Sequence, residues 1–70
     1  MSKIPDSSAA VWAIPAQDGV IEVCSYGGKY VVVIVPRDGE RYMRSKRGMT
    51  FERAQRDATW LAKESLEVVS

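Results

Sequence analysis

Residues 20–35 read VIEVCSYGGKYVVVIV. Two apolar, largely β-branched runs flank a Gly-Gly pair, and that order decides the fold. Valine and isoleucine suit a pleated, half-buried surface. Gly27 and Gly28 supply the positive φ angles that a two-residue hairpin turn requires. The stretch therefore predicts a hairpin of Val20–Ser25 and Tyr30–Val35, closed by Tyr26-Gly27-Gly28-Lys29. Tyr30 to Val35 is β-branched or aromatic throughout, which marks a central strand covered on both faces.

Downstream, Pro36-Arg37-Asp38-Gly39 is a second turn signal. Glu40 to Arg44 follows as a more polar strand, expected at an edge where charge discourages strand addition. Ser45-Lys46-Arg47-Gly48-Met49 is a basic loop. Thr50 is placed to cap a helix from Phe51 to about Glu64 or Ser65, with Glu52 suited to the positive end of its dipole. Phe51, Ala54, Ala58, Leu61 and Ala62 form its apolar stripe. Glu67-Val68-Val69 reads as a last short strand or a tail docking the helix.

Upstream, Gln17-Asp18-Gly19 is a turn. Val11 to Ile14, stopped by Pro15, is an edge strand or an extended packed segment. Residues 1–10 read as a flexible tail, and residues 11–70 as one domain. The expected class is α+β: a three- to four-stranded antiparallel meander packed by one C-terminal helix. Side chains alternate along a strand, so Val31, Val33 and Val35 face one way and Tyr30, Val32 and Ile34 the other. One set meets the helix. The other needs cover from Trp12 and Ile14, or from a second copy, which makes a homodimer an expectation.

The chain has 70 residues, 46% hydrophobic and 27% charged, a globular composition. A fold of this size buries only roughly 60% of the surface its unfolded chain exposes. That excludes a multidomain enzyme or a large α/β barrel. No apolar run approaches a membrane span, and the N-terminus does not read as a signal peptide. There is no histidine, which removes His-based acid–base, triad and most zinc chemistry. The single cysteine, Cys24, lies in an apolar run and reads as a core residue. A lone cysteine fits a reducing, cytoplasmic setting. The glycines match neither phosphate-loop spacing, and the carboxylates are dispersed. A non-enzyme without metal or cofactor is expected.

Charge is segregated although the net charge is only +1. Residues 1–28 carry one base and three acids, residues 29–56 eight bases and three acids, and residues 57–70 one base and three acids. The basic middle is rich in arginine, the better fork for phosphate or carboxylate. Its loop precedes a helix N-terminus, where free N–H groups favour an anion. Arg41 and Arg44 differ in parity and should face opposite sides of the sheet. At 100° per residue, Trp60 lies opposite the apolar stripe, on the face of Arg53, Arg56 and Glu64. It is exposed, covered by the N-terminal arm, or buried in a partner. Arg56 and Trp60, four residues apart, are spaced for a cation–π contact.

From Gly28-Lys29-Tyr30 to Ala62 the order is glycine turn, aromatic-led strand, Asp-Gly turn, basic strand, basic loop and alanine-rich helix. This order resembles the arm-binding domain of phage integrases, the C-terminal part of double-stranded-RNA-binding domains, and small bacterial β-β-β-α domains. The chain has no counterpart of the RNA-binding family's first helix, because Pro5 and Pro15 bracket that region. Lys46-Arg47 is the nearest match to that family's Lys-Lys pair. The charge pattern, with this resemblance, leads to the expectation of nucleic-acid binding through phosphate by Arg41, Arg44, Lys46, Arg47, Arg53 and Arg56, with Tyr42 or Trp60 as an apolar or stacking anchor. The alternative is a phage or mobile-element protein that inhibits a host complex by docking the Trp60/Arg56/Arg53 face on an acidic partner.

Overall fold

The computed structural model describes residues 4–45 and 47–69, with the side chains of Ser7 and of residues 65–69 outside that description. A 3-10 turn at Ser7–Ala9 leads into β1 (Ala10–Ala16), β2 (Gly19–Tyr26), β3 (Lys29–Pro36), β4 (Tyr42–Met43) and α1 (Phe51–Val69). The strands form one antiparallel sheet in the order β1-β2-β3-β4, and the helix packs on one face. Gly27 and Gly28 have φ of 57° and 82°, both in the left-handed region. They close the β2–β3 hairpin between Tyr26 and Lys29. Pro15 is tolerated because β1 is an edge strand.

Alternation sorts the side chains as the sequence requires. Ile21, Val23 and Val32 are buried against Ala54, Ala58 and Ala62, with Trp12, Ile14, Tyr30, Phe51 and Leu61 packed around them. The alanines have no bulk beyond Cβ, so the helix lies close on the sheet. Tyr30 and Phe51 meet edge to face, 5.4 Å between ring centres, and pin the first helical turn to β3. The Thr50 Oγ1 accepts from the Arg53 N–H at 3.3 Å, the expected N-cap bond. Residues 67–69 continue α1 and form neither a strand nor a separate tail.

The opposite face corrects an expectation. Trp12 and Ile14 do not cover it; alternation from β2 places both on the helix side. Cys24, Val31 and Val33 are nevertheless fully buried there, packed by Ala9, Ala10, Val35 and Met43. A bulge makes this possible. The register passes from Ala10↔Cys24 to Trp12↔Val23, leaving Val11 as the extra residue. Without it Ala10 would oppose Ser25 on the helix side. With it, the N-terminal segment enters the outer face and fills it from within the chain. The open apolar outer face that suggested a second copy is thus absent where these three residues lie.

The expected strand from Glu40 to Arg44 shortens to Tyr42–Met43, yet the far edge of β3 is not left bare. The Arg44 N–H donates to the Val32 carbonyl at 2.8 Å. The Val32 N–H donates to the Ser45 hydroxyl at 3.1 Å. Tyr30 and Met49 exchange both backbone bonds, at 2.9 and 2.8 Å. A side-chain oxygen thus replaces one ladder carbonyl, and the basic loop is tied to the sheet at both ends.

Gly19 has φ of 151°, and a Cβ there would overlap the Val35 carbonyl oxygen and lie 3.0 Å from the Arg37 nitrogen. A Cβ at Gly27 would meet nothing. Gly27→Ala should therefore cost only the left-handed penalty of about 1–2 kcal/mol. Gly19→Ala should cost clearly more, because backbone atoms must move. Urea unfolding of both variants checks the order, and equal losses would show that β2 absorbs the clash freely.

Candidate functional site

The structure divides the candidate residues between two faces. Arg41 stands apart, on the outer face. Its Nη2 donates to Glu22 Oε1 at 2.7 Å and its Nη1 to the Pro5 carbonyl at 2.6 Å. The pair is largely shielded, with the side chains 24% and 14% exposed. The bond to Glu22 holds the Arg41 guanidinium charged, raising its pKa further. Arg41 is a structural clasp, and the structure does not bring it to the other cations. The parity difference between Arg41 and Arg44 was legible; Glu22 and Pro5 as the partners were not.

Cys24 lies beneath this clasp, its Sγ 3.7 Å from Glu22 Oε1 and 3.9 Å from Arg41 Nη2. Burial pushes the thiol pKa up, and the negative charge of Glu22 adds to the rise. That is the reverse of an activated nucleophile. Among the described residues, no group of three or more His, Cys, Asp or Glu side chains is placed to hold a metal ion. No described helix is long and apolar enough to cross a membrane.

The remaining described candidates gather on the helix side and along the far edge of the sheet. Lys29, Arg47 and Arg53 line an open groove of about 1030 Å³ beside the N-terminus of α1, together with Asp57. Lys29 arrives through the Tyr30–Met49 pairing, and its stem packs against Gly48, where an added Cβ would lie 2.7 Å from Lys29 Cβ. Next along the helix, Arg44, Ser45, Asp57, Trp60 and Leu61 form a cleft of about 190 Å³. Beyond it, Tyr42, Arg44, Ile34, Val20 and Leu61 border a groove of about 400 Å³. Asp57 is shared by the first two, and Arg44 and Leu61 by the last two. The three hollows therefore adjoin one another as a strip along this edge.

Trp60 is 57% exposed and Tyr42 50% exposed. Trp12 and Ile14 pack on the helix-side core, yet Trp60 stays more than half exposed, so the described N-terminal residues do not cover it. Arg56 shares a shallow groove with Trp60, Glu52 and Lys63, and no cation–π stack forms between Arg56 and Trp60 among the described residues. Arg44, Arg47, Arg53 and Arg56 are all exposed. The one ion pair among the described residues is Arg41–Glu22, so none of these four is neutralised by a described carboxylate. Lys46 lies outside the described residues. Sequence reasoning counted Lys29 in the basic segment without placing it beside Arg47, and did not single out Asp57. Asp57 had a signal, being one turn after Arg53; Lys29 depended on a long-range pairing. No family model, curated protein or solved structure matches this chain.

A raised thiol pKa means that folding favours the protonated form. The stability Cys24 contributes is complete below the ordinary thiol pKa of about 8.5 and is lost as pH rises through the raised value. At neutral pH a thiol reagent should therefore label the native chain only as fast as it opens, and label it rapidly in denaturant. Immediate labelling of the native chain would contradict the closed outer face.

Proposed function

We propose that this chain is a non-enzymatic binding module that holds the phosphate backbone of a nucleic acid on the strip beside α1. The observation that carries the reading is the convergence of Lys29, Arg47 and Arg53 on one open groove at a helix N-terminus, without a described ion pair to any of them. Phosphate oxygens would meet guanidinium and ammonium donors there, together with the positive end of the helix dipole. Arg44 extends the track toward β4. Backbone recognition is expected, because no element presents a row of base-reading side chains.

The low net charge is compatible with this role, because the field is local. The clasp takes Arg41 and Glu22 out of the balance together, and the acids of residues 1–28 lie outside the basic middle. A second reading has its own observation. An exposed Trp60 beside Arg56 has the make-up of a protein hot spot, which would suit an inhibitor or adaptor acting on an acidic protein.

Salt separates the two. Each neutralised phosphate releases counterions, so nucleic-acid affinity should fall steeply and log-linearly with salt. Arg47→Gln and Arg53→Gln should each reduce that slope by about one while leaving thermal stability unchanged. Titration of mixed-sequence oligonucleotides from low to physiological salt tests this. Binding indifferent to salt, or absent at low salt, would overturn the phosphate reading.

A further inference from the structure

Resting on that reading, we propose that the ligand is a single-stranded nucleic acid, with unstacked bases lying on Trp60 and Tyr42 while its phosphates follow Arg44, Arg47 and Arg53. Three observations carry this. First, the strip alternates chemistry along its length. The end at the helix N-terminus gathers the cations Lys29, Arg47 and Arg53, with Asp57; the other end has Leu61, Ile34 and Tyr42, with Arg44 and Asp18 at its border. A duplex offers a protein surface phosphates and groove edges, and its base faces are closed by stacking. Only a single strand presents phosphate to one part of such a strip and π-faces to the next.

Second, two large aromatic side chains stand in solvent where the fold does not use them. Trp60 and Tyr42 are both at least half exposed, and both border the strip that Arg44 joins. Trp60 follows Arg53 by seven residues, about 10 Å along the helix axis. Phosphate clamp and stacking surface are thus separate places on one path.

Third, the charge on the exposed helix face argues against insertion into a duplex groove. The exposed Arg53, Arg56 and Lys63 are interleaved with the exposed Glu52 and the half-buried Glu64. A groove with phosphates on both walls would bring those carboxylates against like charge. The loop side, where Lys29, Arg44 and Arg47 stand, is the flank on which cations dominate. Asp57 lines the strip between Arg53 and Arg44, where it can accept a hydrogen bond from a base amine.

Tryptophan emission gives a direct test, because Trp12 is half-buried against the core and Trp60 is exposed. The full chain is titrated with a thymidine homopolymer, a uridine homopolymer and a mixed-sequence duplex of equal length, at one salt concentration. The single strands should bind at least about tenfold more tightly than the duplex and quench Trp60 emission. The order of thymidine and uridine shows whether the source is DNA or RNA. Trp60→Leu keeps apolar bulk and removes the ring; it should weaken single-strand binding about tenfold, weaken duplex binding much less, and leave the thermal midpoint unchanged. Duplex binding as tight as single-strand binding, or a Trp60→Leu chain that binds single strands normally, would overturn this proposal and leave the phosphate reading standing. Failure to bind any of the three would overturn both.

Discussion

The arrangement depends on one clasp. Arg41 reaches across the outer face of the sheet, bonds the carboxylate of Glu22 and the carbonyl of Pro5, and holds the N-terminal segment over Cys24, Val31 and Val33. A chain of this length has few ways to cover two sheet faces. Its helix covers one. Without the arm, β3 would show valines to solvent on the other. Burying Val31 and Val33 contributes about 1.5–3 kcal/mol each, a large share for a domain this small. The Val11 bulge makes the clasp possible, because it turns the entering chain onto the outer face.

Closing the outer face from within leaves the helix side and the loop edge as the surface with unspent chemistry. The core on the helix side is built from alanines and β-branched residues, so Trp60 is not needed there. Arg44, Arg47, Arg53 and Arg56 are likewise free of described ion pairs. The basic loop is held by the Tyr30–Met49 pairing and by Ser45 on Val32, so the cations are presented on a fixed edge. A site on an element pinned at both ends keeps more of its binding energy than one on a free loop.

The local signals in the sequence were largely readable. Gly-Gly between β-branched runs gave the hairpin, Thr50 gave the cap, and the Phe51–Ala62 spacing gave the buried stripe. The opposite parities of Arg41 and Arg44 followed from strand alternation. What could not be read were features set by contacts between distant residues. The Val11 bulge has no composition signal, since valine is an ordinary strand residue. Arg41 is one of eight bases in the middle segment, and nothing local distinguishes it from the rest. Its partners lie 19 and 36 residues away. For the same reason Lys29 was not placed beside Arg47, and the face assigned to Trp12 and Ile14 was wrong.

The most direct measurement is urea unfolding of Arg41→Met and Arg44→Met side by side. Both changes remove one arginine charge and keep an unbranched apolar stem. If Arg41 is the clasp, its loss leaves the shielded Glu22 with only the weak Cys24 thiol as partner and frees the arm, and should cost about 2 kcal/mol. Arg44 holds its place by backbone bonding, so its side chain should be worth less than about 0.5 kcal/mol. Equal losses in the two variants would contradict the division between a structural arginine on the outer face and unspent ones beside the helix.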